Sequence, residues 1–295
     1  MDGIIPLWKP KGLTSHDCVV KIRKLLRTKK VGHTGTLDPE VEGVLPICVG
    51  QATKIVPFLT DTKKTYIAEV TLGISTETED ATGEIVEQKP VEIQPTKTNV
   101  EDVLQSFMGE STQIPPMYSA VKVNGKKLYE YARANEMVER PKRTITISEL
   151  TFLEHTSEQS FLIKAVCSKG TYIRTLCVDI GAQLGYPAHM SHLIRTRTGA
   201  IKQQDTVTFD KIEEAIIDDQ LDDVLLPIAN GLTHLESVRV DEDTKKKVLN
   251  GQKLAKTNII KTTQPFVMMH NNQVLAIYQI HPDHDEQIKP VRVFS

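Results

Sequence analysis

The pattern of apolar and polar positions divides the chain into three stretches. Over the first sixty residues it predicts a short strand at 3–8 and then a helix from an N-cap at Ser15 to about Arg27. Val19, Ile22, Leu25 and Leu26 form that helix's inner stripe. Residues 44–49 are apolar without interruption, as an interior strand is, and 51–58 reads as a short helix. In the second stretch, strands are expected over 64–74, 144–155 and 160–172, with mixed strand character over 189–201. Helices are expected over 98–108, opened by a Thr98-x-x-Glu101 capping box, over 128–134, and over 173–184, closed by Gly185. Asn124-Gly125 between short apolar runs is a hairpin signal. From Thr208 the third stretch begins, with an acidic helix at 210–217, an acidic run at 218–223 and a break at 227–231. It ends in a strand at 238–240, a helix at 241–250 closed by Gly251, and short strands near 266–270, 274–280 and 290–294. Some sixty residues of short strands around one helix imply a small β-rich accessory domain.

Charge adds a second pattern. The 295 residues carry a formal net charge of −2, which taken whole argues against a polyanionic partner. The distribution is uneven, however. Residues 1–60 and 115–200 have a basic excess, and 61–114 and 201–295 an acidic one. Distribution, not net charge, decides where a polyanion docks. The segment 123–143 is the most suggestive: Lys126, Lys127, Arg133, Arg140, Lys142 and Arg143 interleave with Tyr129 and Tyr131, a mixture suited to RNA backbone contact and stacking. An ordinary exposed helix explains the same residues. The four cysteines form no C-x-x-C, and three lie in apolar runs, so they read as buried thiols in a reducing compartment. No signal pattern opens the chain and no apolar run approaches the ~18 residues that span a bilayer, so a cytoplasmic location is expected.

The densest run of turn-forming residues is V-G-H-T-G-T-L-D-P-E-V-E-G, residues 31–43. It holds one aspartate, Asp38, framed by Gly35, Pro39 and Gly43, with Glu40 and Glu42 after it, and is followed by the apolar run 44–49. A carboxylate there sits on a shaped loop anchored to a core. It can act as a nucleophile or base, or it can cap an Asx-type turn. Arg174, in S-K-G-T-Y-I-R, is the best candidate cation to keep it ionised, although spacing does not bring the two together. Other chemistries lack their signatures. The pairs His189/His192 and His281/His284 have no zinc-spaced companions, and no phosphate-binding glycine fingerprint or Gly-x-Ser-x-Gly elbow is present. No metal and no cofactor are expected.

The residues 32–54, G-H-T-G-T-L-D-P-E-V-E-G-V-L-P-I-C-V-G-Q-A-T-K, closely resemble the active-site motif of the TruB family, bacterial tRNA pseudouridine-55 synthases. The resemblance continues in order through W-K-P-K-G-L-T-S (8–15), K-T-Y (64–66), E-D-A-T-G (79–83), P-P-M-Y-S-A-V-K-V-N-G-K-K-L-Y-E-Y-A-R (115–133), C-S-K-G-T-Y-I-R (167–174) and the stretch around Leu193, Ile194, Arg195 and Arg197. It covers most of residues 1–210. The tail resembles the family's small PUA-type RNA-binding domain more weakly.

The resemblance implies a mixed α/β (α+β) pseudouridine-synthase fold around a largely antiparallel central sheet. It implies a catalytic domain at 1–232, with an RNA-binding arm at about 122–143, and a PUA-like domain at 233–295. The implied reaction isomerises one uridine in the T-loop of tRNA by base flipping, with no metal or cofactor. Asp38 matches the essential aspartate, Tyr66 the tyrosine stacked on the target base, Arg174 the arginine paired with the aspartate, and Tyr172 its neighbour. Leu193 matches an apolar wall, and His33 the residue that fills the space left by the flipped nucleotide. Lys9, Lys64, Lys126 and Lys127 are expected on the RNA. The implied partner is the tRNA T-arm, bound by a monomer with no membrane and no obligate protein partner. Two other readings stay open: an RNA-binding or tRNA-folding module with secondary catalysis, and a guide-RNA-dependent pseudouridine synthase. The developed arm and the lack of a basic terminal extension favour a stand-alone enzyme.

Overall fold

The computed structural model describes residues 1–258 and 260–294, so Ile259 and Ser295 of the expected C-terminal domain lie outside the described residues. The chain forms two discontinuous compact units. Met1–Pro39, Val44–Thr62 and Gly199–Ser295 make one, and Glu40–Gly43 with Lys63–Thr198 the other.

The second unit is organised on Lys64–Leu72. This strand pairs antiparallel with Ser160–Cys167 on one side and Ala188–Thr198 on the other. Arg143–His155 and then Gly109–Gln113 extend the sheet, also antiparallel. Period-two alternation sorts the faces: in Ser160–Cys167 the side chains of Phe161, Ile163, Ala165 and Cys167 are buried. Helix Ile173–Gln183 packs against Lys64–Leu72 and Ala188–Thr198, with Leu176, Cys177 and Ile180 buried. One pairing here is parallel, joining Ile194 and Arg195 to Glu42 and Gly43. Gly43 has φ +127°, and a Cβ on it would overlap the Arg195 backbone, so only glycine admits this approach. Mixed α/β architecture on a largely antiparallel sheet is therefore what the protein has.

In the first unit, strand Gly3–Lys9 lies beside the strand Glu42–Val49, and Val31–His33 pairs antiparallel with Ile47, Cys48 and Val49. Late chain returns to this layer: Val207 bridges Leu7, and Leu226 bridges Ile4. A five-stranded sheet in the order Ser237–Arg239, Phe266–His270, Gln273–His281, His284–Val293, Leu254–Ala255 follows, with helix Glu242–Leu249. One face of it shares a core with the N-terminal layer, where Val267, Val274, Ile277 and Phe294 join Ile4, Val44, Cys48 and Ile55. The other has its own core of Val248, Phe266, Leu275 and Tyr278. The C-terminal β-rich region is thus present. All four cysteines are buried free thiols.

Several local expectations shift. The first helix, Ser15–Leu25, is capped by Thr14, whose hydroxyl accepts from the Asp17 amide at 3.0 Å while Asp17 accepts from the Thr14 amide at 2.9 Å. The Thr98/Glu101 box is replaced by one at Thr96 and Asn99, two residues earlier, and the helix runs Lys97–Ser106. The strand expected over 160–172 ends at Cys167, where the chain turns before its next helix. The residues 50–60 form a 3₁₀ turn, Gly50–Ile55, and a short α-helix, Val56–Thr60.

Freed from capping, Ser15 takes another task. It is buried, its Oγ accepts from the Leu37 amide at 2.8 Å, and its hydroxyl donates to the Leu37 carbonyl at 3.2 Å. Both polar groups of a buried loop residue are thus satisfied by one side chain. Replacing Ser15 by Ala leaves them without that partner, and is expected to lower unfolding stability by about 1–3 kcal/mol. A urea titration of S15A against the unaltered protein checks this, and coincident transitions would refute the anchoring role.

Candidate active site

The expected site residues fall in both units. In the first unit, Asp38 sits between two fixed neighbours. Leu37 is buried and held by Ser15. The Pro39 carbonyl accepts from the Lys9 ammonium at 3.1 Å and from the Gly12 amide at 2.9 Å. Lys9 is fully buried and also donates to the Pro10 carbonyl at 2.9 Å, so two backbone carbonyls help to solvate its charge. Thr34, also buried, donates through its amide to the Pro46 carbonyl at 3.2 Å, tying the start of the loop to the strand that follows it. Asp38 itself is half-buried, as is His33 at the end of its strand. The carboxylate therefore projects from a backbone held on both flanks.

In the second unit, Tyr66 and Lys64 lie on the central strand. Tyr66 is half-buried and stands opposite Arg195 on one neighbour and Ala165 on the other. Lys64 is buried, opposite Thr198 and Cys167. Leu193 is buried opposite Ala68, two positions from Arg195 on the same strand. Arg195 is among the largest wholly buried side chains of the protein.

Arg174 lies in the first turn of helix Ile173–Gln183 and is 6% exposed. Its Nη1 donates to the Thr78 carbonyl at 2.8 Å and its Nη2 to the Tyr118 carbonyl at 2.9 Å. Its Nη1 is also 3.9 Å from Oδ2 of Asp80. The other Asp80 oxygen is occupied, accepting from the hydroxyls of Thr78 and Thr82 at 2.6 Å and from the Thr82 amide at 2.9 Å. These bonds turn Oδ2 toward the guanidinium. Beside them, Glu79 adopts φ +62°. Burial pushes its carboxyl up, against the Thr175 hydroxyl, which donates to it at 2.6 Å, and the Arg174 charge. Asp179, on the same helix as Thr175, is pushed up to about 6 by burial and by Glu79. Tyr172, half-buried, is the residue at which the helix begins.

The hairpin Lys122–Val123/Lys126–Lys127 turns at Asn124 and Gly125, both at positive φ, as its Asn-Gly predicts. Three cations in it and in the helix Leu128–Arg133 that follows lie on aromatic rings. Lys126 is 4.5 Å from the centre of Tyr131, and Lys127 and Arg133 are 5.2 and 5.3 Å from Tyr129. Lys126 also pairs with Glu136 at 2.7 Å. The Tyr129 hydroxyl, which accepts from the Lys127 ammonium at 3.1 Å, holds that group above its usual range.

Asp80 and Gln113 carry structural weight that the sequence does not announce. Asp80 belongs to the acidic E-D-A-T-G turn, where nothing in the pattern singles out its carboxylate. Gln113 has no signal beyond a polar residue before two prolines.

Comparisons with known proteins agree with one another. A family model described as "TruB family pseudouridylate synthase (N terminal domain)" matches residues 23–173, and one described as "tRNA pseudouridylate synthase B C-terminal domain" matches 174–233. A protein of Oceanobacillus iheyensis named "tRNA pseudouridine synthase B" is 67% identical over 100% of this chain and 98% of its own. A Bacillus cereus protein of the same name is 51% identical over 99% and 97%. A solved structure titled "Crystal Structure of a Cbf5-Nop10-Gar1 Complex" contains a similar chain at 29% identity, TM-score 0.75, covering 99% of this chain and 83% of that one. Another, "Structure of H/ACA RNP bound to a substrate RNA containing 2'-deoxyuridine", matches at 25% identity and TM-score 0.75, covering 99% and 85%. With the motif order, the antiparallel sheet and these full-length likenesses in agreement, the chain belongs to the TruB family of pseudouridylate synthases.

Proposed function

We propose that the protein is a stand-alone tRNA pseudouridine synthase that isomerises the uridine at position 55 of the T-loop, with Asp38 as its essential carboxylate. The full-length 67% identity to a protein named tRNA pseudouridine synthase B carries the reaction class. The backbone held on both sides of Asp38 supports the assignment of that residue. The reaction is balanced within the nucleotide. The N1–C1′ bond breaks, the uracil turns, C5 bonds to C1′, and the proton lost from C5 is matched by one gained at N1. Asp38 acts either by adding covalently or by removing a sugar proton, and each role needs an ionised, positioned carboxylate.

In this reading the uridine leaves its stack to reach the loop, since a base within a folded RNA is otherwise inaccessible. Tyr66 supplies the stacking platform and the later proton acceptor at C5. Leu193 supplies an apolar wall, and His33 replaces the extruded base. Arg174 is the cation for Asp38, and Tyr172 stands beside it. Lys9, Lys64, Lys126 and Lys127 act on the RNA, Lys9 by shaping the loop that faces it. The segment 122–143 is the arm that closes over the T-arm, and residues 233–295 form a PUA-like RNA-binding domain following a catalytic domain at 1–232. The protein works as a cytoplasmic monomer without a protein partner. No described helix is long and apolar enough to cross a membrane. The likeness to chains of Cbf5 complexes extends to fold and residue identity, and the higher identity to tRNA pseudouridine synthase B favours the guide-independent reading.

Asp38→Asn keeps the size of the side chain but removes its charge. The product-forming rate under single turnover should fall at least about a hundredfold, with tRNA affinity within about threefold of the unaltered protein. Near-normal turnover would refute the assignment. Neutralising Lys126 and Lys127 together should make the slope of log affinity against log salt shallower by about 0.7–0.9 for each phosphate that the pair neutralises. Filter binding from low to moderate salt measures it, and an unchanged slope would mean that these cations do not meet phosphate.

A further inference from the structure

The strand Gly109–Gln113 is polar throughout, and its first four residues are exposed. Its last residue breaks the pattern, because the side chain of Gln113 is buried at 6% exposure. A buried primary amide requires partners for both its donor and its acceptor. Gln113 finds both on one residue. Its Oε1 accepts from the Tyr172 amide at 2.8 Å, and its Nε2 donates to the Tyr172 carbonyl at 3.0 Å. The side chain thus makes the pair of bonds that an antiparallel strand would make. Tyr172 is the N-cap position of helix Ile173–Gln183, and that helix has no side-chain cap. Its entry is set from outside, by Gln113.

Two residues further on, Arg174 reaches back to the same segment that holds Gln113. Its Nη2 donates to the carbonyl of Tyr118, five residues after Gln113, and its Nη1 to that of Thr78. Residues 113–118 and 172–174 are therefore stitched at two points, Gln113 to the Tyr172 backbone and Arg174 to the Tyr118 backbone. A shift at the first point moves the Cα from which the guanidinium is hung. We propose that Gln113 is a positioning residue for the reaction, holding the helix start so that the Arg174 guanidinium is aimed. This rests on the reading of Arg174 as the cation of a pseudouridine synthase site.

The test uses two variants in the full chain. Gln113→Met keeps the length of the side chain and removes both polar functions. Gln113→Glu retains an acceptor, but in its ionised form has no donor for the Tyr172 carbonyl. Its protonated form restores one, an O–H in place of the N–H, and is an isostere of the amide. Burial lifts such a carboxyl above the usual value of about 4.3. Single-turnover pseudouridine formation on unmodified tRNA is measured with enzyme in excess from about pH 5.5 to about pH 8. Affinity and thermal midpoint are measured in parallel, and rates are scaled to folded protein.

The Gln113→Met rate is expected to fall about tenfold or more at near-constant affinity. The ratio of the Gln113→Glu rate to that of the unaltered protein should be low at the alkaline end and rise as pH falls. A merely structural role would not give that pH-dependent ratio after scaling to folded protein. Should Gln113→Met not fold, the Gln113→Glu ratio decides alone. A flat ratio, or a Gln113→Met rate equal to that of the unaltered protein, overturns the inference and leaves the proposed function standing. Absence of product from the unaltered protein overturns both.

Discussion

The constraint on which the candidate site depends is the immobilisation of an irregular backbone around Asp38. A carboxylate on a regular strand or helix inherits its position from the ladder of hydrogen bonds. Asp38 lies outside such a ladder, between Val31–His33 and Glu42–Val49 in a stretch that is neither strand nor helix. Side chains provide what secondary structure does not. Ser15 takes both polar groups of Leu37, and Lys9 with the Gly12 amide takes the carbonyl of Pro39. A wholly buried ammonium is costly to desolvate, and the Pro10 and Pro39 carbonyls that Lys9 organises offset part of that cost. The same residue would be a poor choice on an exposed loop, where water would solvate it equally well.

The second unit meets the same requirement at Arg174. A buried guanidinium needs acceptors in fixed places, and two backbone carbonyls, with the Asp80 carboxylate nearby, are among those of Arg174. The Asp80 carboxylate is itself oriented by three donors on one of its oxygens. Glu79, held at positive φ with a carboxyl that burial pushes up, is part of the cost of forcing the turn into this shape. The charge of Arg174 is thus held by the turn at Thr78–Asp80, by the Tyr118 backbone and by the helix that carries it.

Much of this was legible in the sequence, for definite reasons. Long strands with buried alternate residues, such as Ser160–Cys167, announce themselves by composition, and Asn124-Gly125 announced its hairpin. The motif order carried the fold and the family. What failed to show was whatever depends on a choice among chemically equivalent neighbours. Thr14 and Ser15 can both cap a helix. The structure uses Thr14, which frees Ser15 for Leu37. Thr96 with Asn99 displaced Thr98 with Glu101 in the same way. The edge strand Gly109–Gln113 has no apolar alternation to reveal it. Two acceptors of Arg174 are main-chain carbonyls, which every residue has, and Asp80 was one acid among many in an acidic stretch.

The most direct test of the central claim is to incubate the unaltered protein with unmodified tRNA and, separately, with an isolated T-arm stem-loop, with no other protein or RNA, and to map pseudouridine in each. One pseudouridine, at position 55, is expected in both. No product in either, or product only when a guide RNA is added, would contradict the claim.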